Sequence, residues 1–390
     1  MIQGTEPGPE PEAIRPWGFV HVVGEGIVWG EPVEGLESPA LEEFEGERAS
    51  FNLVGAGTAT WGLSIRRARA GLRGAIPKTG GRVAWLVAAE FGANVATRLS
   101  PVVLTDASVT FSYVPGARLR IGQFKLPIGE EALEMNPVAA EFVNFSAVTG
   151  QLLLESRVVD GAYASGASAF RDVGVEAFDS FDLGAGTLSY AVMLSNGRMG
   201  SLEWDNAKDL TGRVSWAPWV WGERHEPHRE EISAFAFWQQ GGRDVDGEHV
   251  QRIRRGGGIQ VEKAGWHARV EVIQASGAIE TGTSPPFPGQ PVSVSPDGSA
   301  LGGYAYVHYG RGHFGGGLRY DELHRLYDSP ADLRVFRTAT ADAQVVITPK
   351  VRLMLDYEMR WLAAPNGSAD AKAIAATMGD RLSLQAGAVF

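Results

Sequence analysis

The chain has 390 residues, 35 Lys and Arg against 46 Asp and Glu, and no cysteine, which excludes disulfide scaffolds, thiolate zinc sites and cysteine nucleophiles. The acidity is local: residues 1–50 hold eleven Glu against Arg15 and Arg48, and the remaining 33 basic and 35 acidic residues offer no excess for a nucleic acid. No run reaches ~18 apolar residues, so helical membrane spans are excluded, whereas half-apolar spanning strands are not.

Residues 1–16, with Pro7, Pro9, Pro11 and three Glu, read as a flexible acidic tail. The first four residues lack the basic and apolar regions of a secretory signal, so either a signal has been removed or the protein stays inside. From 17 onward the dominant period is two. Strands are predicted near 17–29, 61–74, 81–92, 104–114, 117–126, 170–180, 186–196 and 209–219. Eight more follow near 229–241, 253–263, 265–276, 300–310, 312–323, 334–347, 350–362 and 379–390. In the clearest run Val351, Leu353, Leu355, Tyr357, Met359 and Trp361 oppose Arg352, Met354, Asp356, Glu358 and Arg360. Most of the sixteen are long enough to cross a bilayer when tilted, which takes about 9–11 residues.

Short links such as 115–116 and 348–349 alternate with long ones at 30–60, 93–103, 127–169, 197–208, 242–252, 277–299, 324–333 and 363–378. That asymmetry predicts an all-β, closed antiparallel transmembrane β-barrel over residues 17–390, with short turns on the periplasmic side and long loops outside. Trp17, Trp29, Trp61, Trp216, Trp219, Trp221, Trp238 and Trp361 fall near strand ends, where aromatic belts form. The 127–169 connection is too long for a plain link. Glu31–Glu47 carries seven carboxylates at irregular spacing, unlike a calcium loop, and reads as a solvated, mobile loop. Catalytic signals are weak. His225 and His228 offer two ligands without a third, and Gly256-Gly257-Gly258 lacks the helix and lysine of a phosphate loop. No catalytic residue, metal or cofactor is assigned.

Residues 65–74 (IRRARAGLRG), Asp106-Ala107 and 113–116 (YVPG) resemble segments of the phosphate-selective porin O/P family. The block 119–131 (LRIGQFKLPIGEE) is similar to that family's hallmark, with Ile128 in place of the usual Phe. Arg171–Val175, Tyr190, Ser195–Gly197, Asp205-Asn206 and Asp209 follow in the family's order, and Phe390 resembles the terminal aromatic of outer-membrane proteins. The resemblance implies a bacterial outer-membrane barrel, usually trimeric, that lets small hydrophilic solutes diffuse and prefers anions or phosphate. It also implies that 127–169 folds into the lumen as a constriction.

A selective pore needs one sign of charge along a narrow, low-dielectric passage. Arg67, Arg69 and Arg73 share a parity and have no acid close by in the sequence. Leu63 and Ile65 sit on the Arg67 parity, so this strand needs a bulge or an exit from the bilayer near Ile65. Arg118, Arg120 and the family-matched Lys125 come next, then Arg213, Arg269, Arg319, Arg352, Arg360 and Arg381 on inward faces. Inward faces also carry Glu90, Asp106, Glu176, Glu262, Glu271, Asp321, Asp356 and Glu358, so the alternative is a neutral network of pairs. Glu130, Glu131, Glu134, Glu141 and Glu155 make the long connection acidic, which counts against a phosphate trap. Three rivals stand beside the porin: a plugged structural or adhesive barrel, an outer-membrane enzyme, and a secreted β-sandwich.

Overall fold

The computed structural model describes residues 14–51, 61–134, 140–184, 186–197, 207–221, 229–245 and 247–390. Residues 1–13 of the predicted tail, and His225 and His228, lie outside them. The first barrel strands are β1 Arg15–Val28, β2 Trp61–Ala75, β3 Val83–Glu90, β4 Val103–Phe111 and β5 Arg118–Lys125. After the long connection come β6 Arg171–Leu183, β7 Gly186–Ser195, β8 Asp209–Trp221, β9 Glu230–Val245, β10 Glu248–Lys263 and β11 Trp266–Ser276. The last are β12 Ser299–Arg311, β13 Phe314–Arg325, β14 Arg334–Thr348, β15 Val351–Ala363 and β16 Asp380–Val389. Each pairs antiparallel with its neighbour, and β1 pairs with both β2 and β16, so the sheet closes. Closure removes the edges that a bilayer, lacking water, cannot satisfy.

The faces follow the alternation. On β15, Leu355 is 43% exposed on the outside while Asp356 is fully buried on the inside. Trp29, Trp61 and Trp361 stand exposed at the long-loop rim, and Trp219, Trp266 and Phe314 at the turn rim. No helix among the described residues is long and apolar enough to cross a membrane, so any crossing is made by these strands.

Three departures from expectation, and the bulge expected near Ile65, have local causes. The barrel starts at Arg15, which pairs with Arg73, so the predicted tail is two residues too long. The predicted 242–252 loop is instead the end of a tight hairpin, because the ladder runs out to Val245 opposite Glu248. In β2 the register shifts so that His21 faces Arg67 and Val22 faces Ile65, which bulges Arg66 and resolves the parity conflict at Ile65. The acidic first loop is folded rather than loose. Its Val33 and Phe44 are buried with Phe287 and Ile374, and the Phe44 and Phe287 rings stack at 4.3 Å. Ser50 donates its N–H to Pro286 O at 2.6 Å and Glu37 donates to Asp370 at 2.5 Å, tying this loop to two distant ones.

Gly122, inside the family-like block, has φ +129°, and a Cβ there would overlap the Ala107 carbonyl of β4. Only glycine adopts that backbone without strain. Gly122→Ala is expected to destabilise the barrel by about 2 kcal/mol. The urea midpoint of refolding into lipid vesicles measures it, and an unchanged midpoint would rule out the strain.

Candidate functional site: a half-filled lumen

The chain between β5 and β6 turns inward at Gly129 (φ +61°), where a side chain would overlap Leu153. It then forms α1 Glu130–Glu134 and α2 Ala147–Leu152, the second capped by Ser146, whose Oγ accepts from Thr149 N–H at 3.2 Å. Leu126, Ile128, Val148, Leu152 and Leu153 are buried against Met193, Phe237, Ile273, Leu323 and Phe336 of the barrel wall. Each large side chain buried so contributes roughly 1.5–3 kcal/mol. This apolar core occupies the lumen beside β7, β9, β11, β13 and β14.

Polar ties of both signs complete the attachment. Glu130 pairs with Arg213, Glu134 with Arg269, and Glu131 with Arg319 at 3.1 Å. Glu141 meets His267 at 2.5 Å, and Glu155 meets Arg243 and, at 3.2 Å, Arg252. Wall carboxylates accept backbone N–H groups of the segment: Glu271 from Glu130 at 3.1 Å, Asp356 from Val143 at 2.8 Å, and Asp321 from Ala147 at 3.0 Å. In return, Lys125 Nζ donates to Ala132 O and Leu133 O at 3.0 and 2.9 Å, Arg319 to Asn144 O at 2.9 Å, and Arg254 to Leu152 O at 2.8 Å.

Burial by itself would raise the Glu155 carboxyl, but the charges of Arg243 and Arg252 and the Arg243 hydrogen bond bring it down to about 2. Burial also raises Glu141, and the hydrogen bond and charge of His267 reverse this to a net lowering. Because the folded value of Glu155 is depressed, its stabilisation is complete above the ordinary carboxylate value and is lost as pH falls through about 4.5 to about 2. Glu155→Gln leaves Arg243 still paired with Asp209 at 2.8 Å. At pH 7 it should lower stability by on the order of 2–3 kcal/mol relative to the native chain. That gap should close over the same acid window, read as thermal transitions at pH 7, 4 and 2.5. A gap constant with pH would remove the ion pair from the explanation.

On the other side of the segment lies a cavity of about 660 Å³. Arg66, Arg67 and Arg69 line it from β2, Arg98 from the loop after β3, Lys125 and Arg171 from β5 and β6, and Arg319, Arg360 and Arg381 from β13, β15 and β16. Only four carboxylates, Glu25, Glu90, Asp321 and Glu358, border the same space. A second cavity of about 860 Å³ opens toward the long-loop rim. Phe51, Arg98 and Phe336 border both, so the two cavities adjoin.

Six predicted basic residues, Arg67, Arg69, Lys125, Arg319, Arg360 and Arg381, border the inner cavity. The remaining ones lie elsewhere. Arg213 and Arg269 hold the long segment. Arg118 pairs with Asp179 at 3.1 Å, and Arg120 with Glu176 at 3.5 Å. Arg352 borders a separate cavity of about 340 Å³ near the turn rim, and Arg73 sits toward the same rim, opposite Arg15. The expectation that no acid competes for Arg69 is corrected: the register sets Glu90 directly opposite, and the two pair at 3.1 Å. Arg66 escaped the parity reading because the bulge rotates it inward, to Glu25 and to Asn144, each at 2.6 Å. The parity conflict at Ile65 was the available signal for it. Arg171 opens the family-like block 171–175, whereas Arg98 carried no signal in the sequence. Among the described residues no group of three or more His, Asp or Glu converges as a metal site.

A closed sixteen-stranded barrel, apolar outside and charged inside, with one long connection tied to its inner wall, is the architecture of outer-membrane porins. The model of the family described as phosphate-selective porin O and P matches residues 48–214, in agreement with the resemblance of the sequence blocks. A comparison with curated proteins returns no match. OmpF of Salmonella typhi, in complex with daunomycin, superimposes with a TM-score of 0.61 at 10% identity, covering 97% of each chain. The outer-membrane channel DcaP of Acinetobacter baumannii gives 0.58 at 11% identity, covering 97% of each chain. An anion-selective porin from Comamonas acidovorans gives 0.57 at 12%, covering 97% of this chain and 99% of its own. At such identities the likeness is one of fold. The chain is a channel-forming porin of the outer membrane, and its family match spans the strands that carry Arg66, Arg67, Arg69 and Lys125.

Proposed function

We propose that the protein lets small hydrophilic solutes diffuse passively across the outer membrane and that it prefers anions. The observation that carries this reading is the inner cavity, where nine basic side chains face four carboxylates. In a narrow space with low-dielectric walls that imbalance raises the local anion concentration and repels cations. The described residues of the connection between β5 and β6, 126–134 and 140–170, act as the constriction, since they fill one side of the lumen and leave the path along β1, β2, β15 and β16. Its carboxylates serve as anchors, so their negative charge is spent on Arg213, Arg269 and Arg319 rather than presented to the permeant. No catalytic step enters this reading. A trimer is the proposed assembly, and one Vibrio cholerae OmpT structure of the same fold (TM-score 0.53, 8% identity) is described as a trimer form.

The plugged-barrel reading draws support from the apolar core inside the lumen. The two adjoining cavities left beside that core favour the open channel. Single-channel recording across a planar bilayer under a KCl gradient separates them. Ohmic steps with an anion-selective reversal potential are expected. Steps with a cation-selective potential would overturn the preference, and silence would favour the plug.

A further inference from the structure

Several of the arginines along the path are held by carboxylates of the wall. Arg66 is engaged by Glu25 and Asn144, Arg69 by Glu90, and Arg381 by Glu358. Such an arrangement supplies a field along the passage, not a compact cage of converging donors that would single out an oxyanion.

What accompanies the charge is apolar. In the outer cavity the Arg98 guanidinium lies 3.5 Å over the half-buried Tyr163 ring, while the Arg325–Phe336 pair at 4.9 Å is buried in the wall. In the inner cavity Arg67 lies 5.7 Å over the half-buried Phe145 ring. Phe51, also half-buried, stands at the junction of the two. Half-buried rings and guanidinium groups thus stand together in both cavities, at Tyr163 with Arg98 and at Phe145 with Arg67, each offering a cation beside a flat apolar surface. A compact anion such as chloride or phosphate gains only the field. An anion with a flat apolar body also sheds water against the rings and stacks on ring or guanidinium faces.

We propose that the passage favours organic acid anions with a flat apolar body over compact anions of equal charge, with aryl carboxylates as the substrate class. The inference rests on the anion-preferring reading above and adds to it the chemistry of the permeant.

Relative permeabilities from reversal potentials in gradients of sodium chloride, acetate and benzoate test it on the reconstituted full chain. Acetate and benzoate carry the same carboxylate, so their ratio isolates the ring. Benzoate is expected to pass at least as readily as acetate despite its size. Phe145→Leu and, independently, Tyr163→Leu should each lower the benzoate-to-acetate ratio by about threefold, as befits the loss of one aromatic contact. The second variant, in the outer cavity, keeps the test informative if the first fails to fold. Sodium phosphate, run alongside, should rank below benzoate.

A channel that is anion-selective for chloride yet passes benzoate less readily than acetate would overturn this inference and leave the proposed function standing. A ratio above one that neither variant moves would overturn the role of the rings. A cation-selective channel would overturn the underlying reading itself.

Discussion

Changing Arg67 and Arg69 together to glutamate should abolish anion selectivity. The inner cavity would pass from nine basic groups against four acidic to seven against six. A unit charge ~6 Å from the permeating ion contributes about 0.7–3 kcal/mol at effective dielectric constants of ~80 to ~20. Screening over a Debye length of ~10 Å in 0.1 M salt weakens but does not remove this inside a narrow passage. Removing Arg69 also strips Glu90 of its 3.1 Å partner, which adds to the swing. The anion-to-cation permeability ratio should drop at least about tenfold, read as a reversal potential near zero under a KCl gradient. The double lysine variant, with charge preserved, should stay near the native ratio. An unchanged reversal potential in the glutamate variant would move both side chains out of the passage.

The second large effect is structural. Arg319 lies 3.1 Å from Glu131, 3.7 Å from Asp321 and 3.9 Å from Glu358, and its guanidinium sits 4.6 Å over the Phe142 ring. Arg319→Met keeps much of the apolar length but leaves three buried carboxylates around an absent cation. Breaking a buried pair in this way costs about 3–5 kcal/mol. Because Arg319 also donates to Asn144 O, the loss falls on the constricting segment as much as on the wall. The variant should melt at a markedly lower temperature in detergent and give a broad, flickering spread of conductance levels. A side chain that merely lined the pore would change selectivity at unchanged melting temperature, and that outcome would refute the anchoring role.

The position of the strands was legible because the cause of their pattern is local. A strand turns successive side chains to opposite faces, lipid requires apolar groups on one of them, and the run Val351–Trp361 records this directly. The same reasoning exposed the conflict at Ile65 that the bulge at Arg66 resolves. Within the lumen the rule of polar residues inside breaks at Ile273 and Leu323, which are buried beneath Leu152 and Val148 of the long segment. No neighbour in sequence announces that partner. Likewise the pairs Glu130 with Arg213, Glu134 with Arg269 and Glu131 with Arg319 join residues 83, 135 and 188 positions apart. Alternation told which side chains point inward, and therefore that charge of both signs lines the barrel. It could not tell which arginines neutralise the segment and which border the open path, because pairing depends on strand register and on where a 126–170 insertion comes to rest. Those are long-range contacts, and only the closed barrel brings them together.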